Sequence, residues 1–406
     1  MRSAGVHEAR PLGGNEKAFW RLSEASPLNF ALVAHVRPGL DPARVEAALA
    51  GLQARHPLLR ARIELRDGQP WFAWPRDLPA PPLERRTVDP SAWLAELEIA
   101  LRRVIPWREA PLLRALLLDH GDQGATFLLV FHHAIADGLS GAMAMRDVLW
   151  EAVTGKPRSP AIYTRSVAAE SALPPNARGL GGGLRRLGTL AGMAAEGARL
   201  RDPLKLPVLR PAAPHERTFH LEPRRFDDAV TTSLADRARA AGSTVHGAIG
   251  AAMLMGVARA AGVAGERTVA FGSPINVRER LVPPMGEQLG MYLGVSSYRG
   301  VVAPRTRFWD LARALRERIA TDLESGRALA TLPLIDLFYK SLGGDRVSDA
   351  EFGRKWRRAT GRPASPTSGG SRSRRRPGSR SIASTTPGFR RASTSSTPWR
   401  ARTAGA

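Results

Sequence analysis

The run Thr126-Phe127-Leu128-Leu129-Val130-Phe131 sets the first condition on any fold this chain adopts. Side chains alternate sides along a strand, and this run carries apolar groups on both faces. Such a strand has to be covered on both sides of its sheet, which calls for packed helices. The flanking patterns supply them. Pro27 to Arg37 places Phe30, Leu32, Ala34 and Val36 on one face of a strand. Asp41-Pro42 opens a helix through Arg55 with a Val45, Ala48, Leu49, Leu52 stripe. Leu59 to Leu65 and Pro70 to Trp74 read as a hairpin about Asp67-Gly68. Ala92 to Val104 reads as a helix, Leu112 to Asp119 as a strand, and Leu139 to Val153 as the helix after the buried strand. Further on, Ser243 is placed to cap a helix running to Ala261, Arg267 to Ile275 reads as a strand, and Arg307 to Leu323 turns Phe308, Leu311, Leu315 and Ile319 inward. The expectation is an α/β protein of two similar halves, an α+β two-layer architecture.

The 406 residues are two or three domains' worth of chain. Four regions are expected: a first half over 1–156, a Pro/Gly-rich linker over 157–214 around a weakly amphipathic, basic helix near Leu184 to Leu200, a second half over 215–352, and a tail over 353–406. The linker reads as a flexible bridge, with a lipid-surface contact as the alternative. The net charge of +23 is unevenly spread. From Gly353 onward there are 14 Lys and Arg with no Asp or Glu, which leaves the body at +9. The tail also lacks Leu and Val, so it cannot bury enough apolar surface to offset its ordering entropy. Three readings stand for it: a basic arm for nucleic acid or anionic lipid, a solvated linker, or sequence read out of frame after an insertion or deletion. The abrupt change after Val347-Ser348-Asp349-Ala350-Glu351-Phe352 favours the last.

There is no cysteine, which excludes disulfide scaffolds, thiolate metal sites and a cysteine nucleophile, and accords with a reducing cytoplasm. The first residues show no signal-peptide pattern. The longest uncharged apolar stretch, Val245 to Ala258, falls short of the ~20 residues that span a bilayer. A soluble, cytoplasmic protein is expected.

The chemistry concentrates in Phe131-His132-His133-Ala134-Ile135-Ala136-Asp137-Gly138, directly after the buried strand. Alternation sends His132 and His133 opposite ways, so one imidazole faces a given cavity. A neutral imidazole at a strand end, with an unperturbed pKa of ~6.5, suits general-base work. Gly138 is read as permitting a tight turn before the helix. Three other readings of these residues stand beside that one. They are a hydrogen-bonded core histidine, a metal site with Asp137 that alternation disfavours, and a hydrolase elbow in Gly138-Leu139-Ser140-Gly141-Ala142, which nearly matches G-x-S-x-G.

His132-His133-Ala134-Ile135-Ala136-Asp137-Gly138 resembles the HHxxxDG signature of the condensation-domain superfamily. That group holds chloramphenicol acetyltransferase-like acyltransferases, peptide condensation domains, wax ester synthases and polyketide-associated acyltransferases. Leu40 to Leu49 and Arg55-His56-Pro57-Leu58-Leu59-Arg60-Ala61 resemble its first helix and "RHPxLR" exit. Thr244-Val245-His246-Gly247-Ala248-Ile249 and Pro274-Ile275-Asn276-Val277-Arg278-Glu279-Arg280-Leu281 resemble second-half segments of alcohol acetyltransferase and phthiocerol dimycocerosyl transferase-like members. The likeness runs from about residue 15 to 350.

The resemblance implies two chloramphenicol acetyltransferase-like halves in a V about a central channel. His133 would be the general base, moving an acyl group from acyl-CoA or a carrier-bound thioester to a hydroxyl or amine. His132 would be structural. Asp137 would hold the loop by pairing with Arg278, or else with Arg280, and Gly138 would leave an amide near the developing oxyanion. No metal or bound cofactor would be needed. An acyl carrier protein is a possible partner, and a non-catalytic module binding one is the alternative function; nucleic acid enters only through the tail. A monomer in lipid or secondary metabolism is expected. Strands that cross between the halves would lie past Phe352, so an out-of-frame tail would leave the second half incomplete, with apolar faces uncovered and activity in doubt. Gly286 to Gly294 occupies a glycine-rich strand entry with no assigned chemistry, and Ser296 and Ser297 are candidates to line the channel.

Overall fold

The computed structural model describes residues 9–26, 28–159, 161–205, 218 and 220–359. The first half runs β1 (Ala9–Pro11), α1 (Gly14–Ala25), β2 (Asn29–Val36), α2 (Pro42–Arg55), β3 (Arg62–Arg66), β4 (Gln69–Ala73), β5 (Leu83–Thr87), α3 (Trp93–Arg102), β6 (Leu113–Asp119), β7 (Ala125–His132) and α4 (Gly138–Thr154). The second runs α5 (Gly179–Arg199), α6 (Asp228–Ala240), α7 (Val245–Ala260), β8 (Arg267–Asn276), β9 (Leu293–Val302), α8 (Phe308–Glu324), α9 (Arg327–Ser341) and α10 (Asp349–Ala359).

The doubly apolar run is β7, buried at every residue. It lies inside a four-stranded sheet of order β2-β7-β6-β5, antiparallel to both neighbours, with Asn29 opposite His132 and Leu113 opposite Phe131. Helices α2 and α4 pack together over this sheet, and α3 packs against β2 and β7. Gly141 sits where α4 meets β2. A Cβ there would stand 2.4 Å from Leu32 Cδ2, so the second glycine of the elbow-like motif serves packing. The hairpin β3–β4 turns on Asp67 and Gly68, both at positive φ, and β1 extends it to a three-stranded sheet.

In the second half, β8 and β9 form an antiparallel pair, the two strands this half contributes among the described residues. Helices α7 and α8 cover it through Leu254, Val269, Leu311 and Leu315. Thr244, not Ser243, caps α7: its Oγ1 accepts the Gly247 N–H at 3.1 Å, while Ser243 Oγ donates to the Ala312 carbonyl. Ser243 is turned into the α7–α8 contact, which sequence spacing does not show. Helix α10 runs to Ala359, beyond the expected start of the tail at Gly353, because Phe352 packs with Tyr339 and Leu342. The rest of the tail lies outside the described residues. No single helix among the described residues is long and apolar enough to cross a membrane.

The linker is not merely a bridge. Ala169, Ala172, Leu173 and Ala177 join the second half's core, and α5 packs against α9. The halves also exchange material: α1 lies on α9 and α10, and Leu289, from the β8–β9 connection, is buried in the first half's core.

His56 and His132 are buried in the first half. The Nδ1 of His56 accepts the Leu289 N–H, and the Nδ1 of His132 accepts the Ala134 N–H. Burial drives both pKa values down to about 4, helped by Arg55 for His56 and by His133 for His132. Below the usual pKa of ~6.5 the unfolded chain binds these protons and the folded chain does not, so stability falls as pH drops from ~6.5 towards 4. Denaturant melts should show a level plateau above pH 6.5 and a fall across that window. A flat profile down to pH 4 would contradict the placement of these two imidazoles.

Candidate active site

Strand β7 ends at His132 and α4 starts at Gly138, so the residues between form a turn at the end of the most buried strand of the first half. Ala134, Ile135 and Ala136 are all fully buried and pin that turn to the core. His132 faces inward. His133 faces the other way, into a cavity of about 910 Å³ between the halves. The two imidazoles do not converge on one point.

His133 is held on three sides. Its ring stacks on Phe19 of α1 at 4.1 Å between centroids, tilted 26°, and Phe30 of β2 lies 4.8 Å away. Its Nδ1 lies 3.2 Å from the Ala136 carbonyl oxygen. A carbonyl accepts only, so Nδ1 carries the hydrogen and Nε2 keeps the lone pair. Burial lowers the imidazole's pKa, opposed by its backbone hydrogen bonds and by the charge of Asp137. The ring is therefore neutral and basic at pH 7.

Asp137 joins the halves. Its Oδ1 accepts from Ser140 N at 2.7 Å, Ser140 Oγ at 2.8 Å and Arg278 at 2.9 Å, and its Oδ2 accepts from Tyr292 N at 3.0 Å. Arg278 is 1% exposed, lies 4.7 Å from the Tyr292 ring centre, and donates onward to the Gln288 carbonyl and Ser140 Oγ. Arg280 makes no contact with Asp137. Ser140 is buried among these partners, its single O–H within reach of both the Asp137 carboxylate and the Gly290 carbonyl, and it does not line the cavity, which leaves it no access as a nucleophile.

Two sequence readings change here. Gly138 does not need glycine's dihedral freedom: its φ lies outside the left-handed region, as suits the first residue of a helix. What it leaves is space. A Cβ at Gly138 would meet nothing within 4 Å and would project at the cavity. The segment from Gly286 to Gly294, given no role, is laid across the first half. The Asp137 N–H donates to the Gly290 carbonyl, and Tyr292 and Leu289 bond as described.

The cavity wall is mostly apolar: Leu22, Ile275, Val295, Leu334, Ile335, Phe338 and Trp356. Asn15, Asn276, Ser297 and Thr331 add polar points. Ser297 lines it, whereas Ser296 faces away and donates to Asp322. Phe19, Asn15, Leu190 and Met193 were missed by sequence reasoning. The weak amphipathicity of α5 and the polar buried face of α1 do not point at a site, and the meeting of the halves brings these residues there.

Residues 21–149 match the family model of the condensation domain, and residues 215–347 match that of the phthiocerol/phthiodiolone dimycocerosyl transferase C-terminus. The chain is 27% identical over 384 residues to the phosphinothricin tripeptide synthetase PhsC of Streptomyces viridochromogenes, covering 84% of this chain and 33% of that protein. The chain thus spans a third of that relative's length. Among solved structures it resembles the first condensation domain of the calcium-dependent antibiotic synthetase in complex with a substrate analogue, with TM-score 0.60 and 18% identity over 79% of this chain and 76% of that one. It also resembles polyketide synthase associated protein 5 from Mycobacterium tuberculosis, with TM-score 0.57 and 18% identity over 79% and 74%. At such identities the likeness is one of fold, and that fold is the chloramphenicol acetyltransferase-like one expected. One family model matches each half, and the fold across both is that of condensation domains, so the chain is similar to the condensation-domain superfamily along most of the described residues.

Proposed function

We propose that the chain is an acyltransferase in which His133 is the general base, moving an acyl group from a thioester donor to a hydroxyl or amine. The observation that carries this is a neutral imidazole whose Nε2 keeps its lone pair and has no hydrogen-bond partner among the described residues, fixed by two aromatic rings at the wall of a large apolar cavity. Nε2 takes the acceptor's proton as its oxygen or nitrogen attacks the thioester carbonyl. The thiolate leaves as the tetrahedral intermediate collapses, and the imidazolium returns the proton to it. The developing oxyanion is served by the open first turn of α4, where the Gly138 N–H has no acceptor among the described residues.

Asp137 takes no proton in this scheme. Its carboxylate is used up in holding the turn, the start of α4 and Arg278. The apolar wall favours an aliphatic acyl group over a polar aminoacyl one. The names of the relatives bracket the donor: one makes a tripeptide, and the other family model is named for a dimycocerosyl transferase. Acyl-CoA or an acyl carrier protein would deliver the thioester, and the body's positive charge suits the phosphates of either.

Thiol release is well suited as an assay, because a chain without cysteine adds no background. His133→Ala should lower acceptor-dependent thiol release by at least about 10²-fold while leaving the melting temperature nearly unchanged. Full turnover in that variant would sink the mechanism. For the wild type, kcat/KM should fall as pH drops and the base is protonated. Because burial lowers the His133 pKa, the half-maximal point should lie below ~6.5. A half-maximal point well above that value would assign the ionisation to another group. Asp137→Ala should cost about 3–5 kcal/mol of stability by stranding the buried Arg278 charge. A loss below about 1 kcal/mol in urea melts would remove Asp137 from the structural role given it here.

A further inference from the structure

Two helices present the same spacing to the His133 cavity. Helix α1 lines it with Asn15, Ala18, Phe19 and Leu22, and α9 lines it with Thr331, Leu334, Ile335 and Phe338. Each set follows the i, i+3, i+4, i+7 pattern of one helix face. The two faces run the same way. At their starts, Asn15 Nδ2 donates to the Leu293 carbonyl at 2.9 Å and Thr331 Oγ1 accepts the Val295 N–H at 3.2 Å, so both are tied to β9. At their ends, Leu22 and Phe338 pack on one cluster together with Trp356 of α10. The cavity is therefore graded from a polar end to an apolar one.

The apolar end is closed. The rings of Phe338 and Trp356 meet edge to face, 5.2 Å between centroids. Behind them Tyr339, Leu342 and Phe352 form a buried cluster. Asn276, opposite Leu293 across the β8–β9 pair, stands at the polar end. Its Oδ1 accepts the Arg278 N–H, which leaves its Nδ2, like the Oδ1 of Asn15, without a partner among the described residues. His133 lies between the two ends, stacked on Phe19, three residues before Leu22. The rise of an α-helix puts the Leu22 backbone about 4.5 Å further along α1. The closed end is thus a short arm beyond the imidazole.

We propose that this arm takes the acyl chain and that Trp356 is its length stop, so that the donor carries a short aliphatic acyl group of a few carbons. The assignment rests on the acyl-transfer reading above. An aliphatic chain gains by burial against leucine and aromatic carbon, and it brings no polar atom that needs a partner there. The hydroxyl or amine acceptor takes the opposite end, where the two asparagines offer one acceptor and one donor. A chain that outgrows the arm has to displace rings backed by a packed cluster, and such overpacking is costly. The stop comes from beyond Gly353, in the stretch that composition alone sets apart from the fold.

The test is calorimetric binding of S-alkyl pantetheine thioethers, from ethyl to hexadecyl, to the full chain. These probes carry the arm that CoA and acyl carrier proteins share, and they cannot transfer an acyl group, so binding is read without turnover. We expect affinity to rise about fourfold per methylene to an optimum between butyl and octyl. By dodecyl it should have fallen at least about tenfold from that optimum. Trp356→Ala should bind the dodecyl probe at least about tenfold more tightly than wild type does. Leu22→Trp fills the same arm and should move the optimum to a shorter chain. Circular dichroism checks both folds, and the second variant carries the test if the first does not fold. Wild type that binds none of the series, that ignores chain length or that prefers hexadecyl would overturn the proposal, as would an optimum that neither folded variant moves. Length-dependent binding with no thiol release from the matching acyl thioesters would sink the acyl-transfer reading and keep the length stop. Thiol release whose chain-length profile is indifferent to Trp356 would sink only the stop.

Discussion

The ion pair between Asp137 and Arg278 is the contact on which the rest of the arrangement hangs. Both side chains are buried, and removing two charges from water costs several kcal/mol per ion. The structure offsets that cost by saturating the carboxylate: it receives four hydrogen bonds, two from the start of α4, one from Arg278 and one from the Tyr292 backbone. Half of those donors belong to the second half of the chain. The turn carrying His133 is therefore finished only when the two halves are joined. A hydrophobic pair of equal volume could fill the same space, but it would not cap a helix, orient a turn and lock a crossing segment at once.

The His133 imidazole repeats this dependence in apolar form. Phe30 reaches His133 from the neighbouring strand, while Phe19 reaches it from α1, and α1 lies on α9 and α10. Arg21 of α1 meets Asp349 of α10 at 2.7 Å. The imidazole is thus gripped by one ring from its own sheet and by another whose position is set by the opposite half. His132, one residue away, has none of this. It is sealed in the core and serves the turn by accepting a backbone N–H. Strand alternation alone separates the two fates.

What the sequence made legible were segments whose pattern and environment agree. The doubly apolar β7, the Asp41-Pro42 start of α2 and the Asp67-Gly68 hairpin each carry their reason locally. The His-His-x-x-x-Asp-Gly run and the arginine that meets it were legible because a known signature relates them across 141 residues; no local rule would. Helix α1 was illegible because Asn15, Glu16 and Lys17 are buried, so apolar periodicity fails on the face that packs. Helix α9 carries Pro333 inside it, which reads as a break. Strand β5, Leu83–Thr87, is a polar sheet edge without the alternation that marks a half-buried strand. Gly138 was assigned to a turn when its lack of a side chain matters for space, a distinction that needs the cavity. The linker helix was seen, but its glycine content hid how much of it would stand against α9.

The long separation between Asp137 and Arg278 also has a consequence for how the protein is made. A ribosome releases the first half with its sheet complete and its reactive turn lacking the partners that close it. The Asp137 carboxylate waits for about 140 further residues of translation before its counter-charge is made. Contacts this distant along the chain form late and slowly. The turn that carries His133 thus stays without its closing partners until about half of the chain that follows it has been made.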